Sequence, residues 1–100
     1  MALEIYWSKR AEKQLDEILD YLRKEWGETI TGNFVRKVYN FLELLSEYPN
    51  LGTVENKDKQ IRGFPIVKQV NLFYKIDKGR IILLSFFDNR QNPQKENISF

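Results

Sequence analysis

The residues whose type and spacing suit chemistry in this chain are cations. From Lys57 to Lys95 there are nine Lys and Arg (Lys57, Lys59, Arg62, Lys68, Lys75, Lys78, Arg80, Arg90 and Lys95) against three acids, Asp58, Asp77 and Asp88. On a sheet, Arg62, Lys68, Lys75 and Arg90 beside Phe73 and Tyr74 would combine phosphate-binding charge with stacking rings, the pairing by which proteins hold nucleic acid. The same lysines suit a plainer task, because sheets protect their edges and solvate their hairpins with them, and blocks of like charge are commonly solvated faces. The charge pattern alone leaves both open.

Composition bounds what those cations can do. The chain has no histidine and no cysteine, which excludes imidazole-based triads, thiol nucleophiles, disulfides and Cys/His zinc sites. Proton transfer and charge stabilisation fall to Lys, Arg, Asp, Glu, Tyr and Ser. Glu12, Asp16 and Asp20 recur at steps of four and so share a helix face, as metal ligands would. Without histidine or a facing acidic helix, they read instead as the wet side of an amphipathic helix. No phosphate loop, G-x-G-x-x-G or G-x-S-x-G occurs, so neither cofactor nor metal is expected. The formal charge of +2 conceals an asymmetry: residues 1–50 hold 7 basic and 9 acidic groups, net −2, and residues 51–100 hold 9 and 5, net +4.

The elements that must position these groups follow from hydrophobic period. One hundred residues predict a single domain, 1–100, with 94–100 a loose tail. No stretch approaches the ~20 apolar residues of a membrane span, and the start has no basic leader, so a cytoplasmic protein with no membrane contact is expected. Residues 3–7 alternate, with Leu3, Ile5 and Trp7 on one face and Glu4 and Tyr6 on the other, which predicts a strand. Ser8 is placed to cap a helix whose stripe is Ala11, Leu15, Ile18, Leu22 and Trp26, with Gly27 as its C-cap. Trp7 and Trp26 both fall in register with buried positions. A second helix, about 29–47, carries Phe34, Val38, Phe41, Leu42 and Leu45 and ends before Pro49 and Gly52, forming an antiparallel hairpin with the first.

Beyond Gly52 the period becomes two. Residues 54–59 read as a polar connector, and 60–62 as a short strand stopped by Gly63 and Pro65. A strand over 66–77 follows, with Val70, Leu72, Tyr74 and Ile76 on one face; a hairpin turn at 77–80 has Gly79 at positive φ. Residues 81–87 are apolar on both faces, as a central strand is, and 88–93 form a polar turn. The order β-α-α-β-β-β predicts an α+β domain with a helical hairpin on a small antiparallel sheet.

Four segments together carry a family resemblance. They are Trp7-Ser8-x-x-Ala11-x-x-x-Leu15-x-x-Ile18-x-x-Tyr21, then Leu44-Leu45-x-x-x-Pro49-x-x-Gly52, then Leu72-Phe73-Tyr74-Lys75-Ile76, and Ile81-x-Leu83 followed by Phe87-Asp88-x-Arg90-Gln91-Asn92-Pro93. In combination, over about residues 3–93, they resemble the RelE/ParE superfamily of bacterial toxins from type II toxin-antitoxin systems. The resemblance implies growth inhibition, plasmid stabilisation, a cognate antitoxin that neutralises the toxin, and operator DNA contacted only through that antitoxin. It also implies one of two targets: the ribosome with mRNA, which RelE-like members cleave as endoribonucleases, or DNA gyrase, on which ParE-like members act without a hydrolytic site.

The two branches make different demands on this chain. The ribonuclease branch uses lysines ahead of the sheet, an arginine on the strand 66–77, an arginine after the last strand, and often a tyrosine or histidine in the tail. Lys57 and Lys59 match the lysines, Arg62 adds a nearby cation, and Arg90 matches the last arginine. The strand position holds Asn71, which can orient a phosphate but cannot neutralise it, and phosphoryl chemistry rests on that neutralisation. No tyrosine or histidine follows Arg90, which leaves Tyr74 as the candidate donor. The balance falls on a ParE-like toxin, with Arg90, Arg62, Lys68, Asn71 and Lys75 as target-binding residues. A ribonuclease and a non-toxic interaction module with a degraded site remain the alternatives.

Arg90 also has a bland role, pairing with Asp88 to pin the turn, which is worth under ~1 kcal/mol at a surface. Arg90→Ala is therefore expected to melt like the unsubstituted chain while showing reduced toxicity on expression. Full growth arrest by that variant would remove Arg90 from the site.

Overall fold

Ser8 is where the fold is joined. In the computed structural model, which describes residues 2–89, strand β1 (Glu4–Trp7) leads through Ser8 into helix α1 (Lys9–Glu47). The Ser8 hydroxyl accepts from the Ala11 N–H at 3.0 Å and donates to the Leu84 carbonyl at 3.2 Å, and its own N–H donates to the Leu83 carbonyl at 3.1 Å. One residue thus caps the helix and fastens it to the last strand.

Gly27 interrupts α1 with φ 88° and ψ 179°, a conformation that only glycine adopts without strain. The predicted C-cap is therefore the bend of a hairpin with arms 9–26 and 28–47. Thr31 Oγ1 closes the bend by donating to the Gly27 carbonyl at 2.8 Å. Leu22 lines one cavity with Ile30 and Phe34 near the bend, and Leu15 lines another with Tyr39 further along, so the arms run antiparallel. Their buried stripes are Ala11, Leu15, Ile18 and Leu22, then Phe34, Val38, Phe41, Leu42 and Leu45. Trp26 departs from expectation: it is 62% exposed, because the chain leaves the helix one residue later and no arm continues over it.

The remaining elements are β2 (Thr53–Asn56), β3 (Ile61–Val67), β4 (Val70–Asp77) and β5 (Arg80–Asp88), in the sheet order β1-β5-β4-β3-β2. All neighbours are antiparallel except β1, which runs parallel to β5 at one edge. Three sequence expectations are corrected. The predicted connector over 54–59 contains an edge strand, β2, closed by a turn in which Asn56 Oδ1 accepts from the Lys59 N–H at 2.9 Å. β3 passes through Gly63 and Pro65: Gly63 makes room for the Phe73 ring, which would lie 2.9 Å from an added Cβ. Pro65 sits beyond the last β2 pair, Thr53 with Gly63, where β3 has a free side and tolerates proline. Residues 68 and 69 form a turn, so the strand expected over 66–77 is divided between β3 and β4.

The helical hairpin covers one face of the sheet, burying Val70, Leu72, Tyr74, Ile81, Leu83 and Phe86. Leu83 pairs with Tyr74 and Ser85 with Phe73, which leaves Leu84 as the extra residue of a bulge and shifts the inward phase from Leu83 to Phe86. Gln14 Oε1 accepts from the Phe86 N–H at 3.0 Å just past the bulge.

Gly27→Ala places a side chain in a glycine-only conformation and is expected to lower stability by about 1–3 kcal/mol. Urea unfolding monitored by circular dichroism measures it, and an unchanged midpoint would show that the bend does not need Gly27.

Candidate functional site

The predicted site residues separate onto two faces and two turns. Tyr74 and Arg62 are cross-strand partners on the helix side of the sheet. Tyr74 has no exposed surface; its hydroxyl donates to the Pro49 carbonyl at 2.9 Å and accepts from the Gly52 N–H at 2.8 Å. Arg62 Nη1 donates to the Gly52 carbonyl at 2.7 Å and the Asn50 carbonyl at 3.3 Å. Together they clamp the loop between α1 and β2. As a candidate proton donor Tyr74 is thereby corrected to a structural residue, since its hydroxyl is buried and fully engaged. Burial pushes its phenol above the usual value, opposed by the Gly52 hydrogen bond and the Arg62 charge.

The opposite, open face is arranged in rows across the strands. By register Tyr6, Ile82, Lys75 and Ile61 form one row, Ser85, Phe73 and Gly63 the next, and Phe87, Asn71 and Pro65 the third, with Ile61, Gly63 and Ser85 buried among them. Lys75 and Asn71 thus share a surface with Phe73 and Phe87. Lys57 and Lys59 lie on the exposed turn between β2 and β3, and Lys68 on the turn between β3 and β4. Arg90 lies outside the described residues. Among the described residues, no group of three or more acids is arranged to hold a metal ion.

Sequence reasoning missed Tyr6 and Arg80 as members of this face. The Arg80 guanidinium lies 5.0 Å from the Tyr6 ring centroid, and the Tyr6 hydroxyl donates to Glu4 Oε1 at 3.3 Å. Alternation in β1 did place Tyr6 away from the core. Its neighbours depended on the parallel pairing of β1 with β5, which no local spacing reports.

Tyr74→Phe removes one hydroxyl from the buried Gly52 N–H and the half-buried Pro49 carbonyl and is expected to cost about 1–3 kcal/mol on urea unfolding. The folded chain holds the phenolic proton more tightly than the unfolded one, so this contribution is complete below about pH 10 and is lost as pH rises through the higher folded value. Above pH 10 the unsubstituted chain should lose stability more steeply than Tyr74→Phe. Parallel profiles would contradict the assignment.

Comparison with known proteins accords with this architecture. The family described as the ParE toxin of type II toxin-antitoxin systems, parDE, matches residues 5–93. The chain is similar to the structure of a chromosomal ParDE toxin-antitoxin system from P. aeruginosa, at 16% identity and a TM-score of 0.73, over 87% of this chain and 96% of that one. It is similar to a YoeB dimer from Staphylococcus aureus, at 17% identity and 0.60, over 87% and 97%. The E. coli DinJ-YafQ toxin-antitoxin complex gives 14% identity and 0.61, over 92% and 98%. A search of curated proteins returns no significant match. With a family match over nearly its whole length, on a sheet and helical hairpin shared with solved toxins, the chain belongs to the ParE toxin family of type II toxin-antitoxin systems.

Proposed function

We propose that this toxin inhibits DNA gyrase through the open face of its sheet, in the cytoplasm, and that a cognate antitoxin neutralises it. Operator DNA is contacted only through that antitoxin. The observation that carries this reading is the engagement of Arg62 and Tyr74. Metal-free cleavage of RNA needs cations around the phosphorane and a proton donor for the leaving oxygen. Arg62 commits Nη1 to the Asn50 and Gly52 carbonyls, which holds its guanidinium at the α1–β2 loop, and Tyr74 is sealed in the core. On the strand that crosses the open face, Asn71 stands where a nuclease of this superfamily carries a cation. A binding surface needs no such set, and Lys75 and Asn71 among Phe73 and Phe87 supply charge, hydrogen bonding and apolar area for a protein target.

One observation favours the ribonuclease as a second reading. Tyr6 is a half-exposed tyrosine on the open face, with Arg80 against its ring and Lys75 in its row. If that group acts on RNA, Tyr6→Phe abolishes cleavage in a translating extract.

Purified toxin is expected to abolish supercoiling by gyrase and to leave mRNA intact in the extract. Lys75→Ala should raise the half-inhibitory concentration about tenfold, the consequence of losing one charge-assisted contact. Codon-dependent mRNA cuts with undisturbed supercoiling would overturn the gyrase reading. Expression without growth arrest would favour the interaction module.

A further inference from the structure

The furrow between the two arms of α1 carries chemistry that the open face does not use. It is an open groove of about 420 Å³ lined by Trp7, Glu12, Leu15, Asp16 and Tyr39. The Trp7 indole stacks on Phe86 at 5.8 Å and tilts toward Tyr39, with ring centroids 6.3 Å apart. Tyr39 is 55% exposed, a large ring left in solvent beside a cavity. Glu12 and Asp16 are exposed one helical turn apart, and neither makes an ion pair among the described residues. The next acid along, Asp20, is already engaged by Arg23 at 3.4 Å. No Lys or Arg lines the furrow.

We propose that this furrow is a receptor for an arginine side chain presented by a protein partner. A guanidinium is flat and weakly hydrated, so it lies against the exposed Tyr39 ring beside Trp7 while its fork of N–H donors meets the Glu12 and Asp16 carboxylates. Its aliphatic stem packs along Leu15. An acidic side chain is repelled, an apolar one leaves both carboxylates without a counter-charge, and an ammonium cannot lie flat on the rings. Aromatic walls and paired acids converge on one ligand chemistry. The inference is independent of which target the open face meets.

The test is a fluorescence titration of the full chain carrying Trp26→Phe, which leaves Trp7 as the remaining tryptophan of the two. The probes are N-acetyl-arginine amide and its neutral counterpart, N-acetyl-citrulline amide. The arginine probe should give a saturable change that the citrulline probe reaches only about tenfold more weakly, as loss of one charge-assisted contact dictates. Glu12→Gln with Asp16→Asn should weaken the arginine titration by about the same factor, and Tyr39→Leu should weaken it too, whereas Asp20→Asn should leave it unchanged. Equal response to both probes, or a titration indifferent to Glu12, Asp16 and Tyr39, would overturn the proposal.

Discussion

The buried hydroxyl of Tyr74 is the constraint on which the rest of the molecule turns. A phenol removed from water must find partners, and the available ones are backbone groups of the loop leaving α1, Pro49 and Gly52. Meeting them fixes the path by which the chain passes from the helix to β2. Arg62 completes the joint from the neighbouring strand by taking the Gly52 and Asn50 carbonyls. The edge strand β2 then starts at Thr53, one residue past the clamp, already positioned to pair with β3. The interactions that build this corner also bury a hydroxyl and tie one guanidinium nitrogen to the loop, which is why fold and functional reading are linked here.

Gly27 and Ser8 act on the other side of the same core. The break at Gly27 lets two successive helical arms lay their apolar stripes on one sheet face, and the Ser8 cap fixes where the first stripe begins. The Phe41 and Phe64 rings, stacked at 4.1 Å, hold the second arm over β3. Folding the helix back on itself also creates the furrow, because Trp7 is wedged beneath two arms that do not close over it. Trp7 is in that sense both a core residue, through Phe86, and a surface one, through Tyr39.

Local chemistry was legible in the sequence wherever one residue type dictated one geometry. Ser8 as a cap, Gly27 as a break, the turn at Lys78 and Gly79, and the inward face of β4 all follow from side-chain preference and period. What escaped depends on long-range pairing. β2 looks polar because it is an exposed edge, and Pro65 reads as a stop unless the length of the neighbouring strand is known. The bulge at Leu84 is hidden in a run of apolar residues that fits either phase. The same limit applied to the site: Arg62 reads as a free cation until Tyr74 places the Gly52 carbonyl beside it. Tyr6 and Arg80, far apart in sequence, meet because β1 pairs with the last strand.

The +4 charge of residues 51–100 is distributed by that geometry in a way that arithmetic alone misrepresents. Lys57, Lys59, Lys68 and Lys78 stand on turns at the ends of strands, where they solvate hairpins and discourage edge pairing. Arg62 is turned into the helix side. Of the described cations in this half, Lys75 and Arg80 remain for the open face, Arg80 drawn toward Tyr6 and Asp77. Two such cations among the described residues support the proposed protein target over the repeated phosphates of a nucleic acid, whose affinity grows with the number of charges neutralised. Under that proposal a small charged group beside Phe73 and Phe87 sets register while apolar contact supplies affinity.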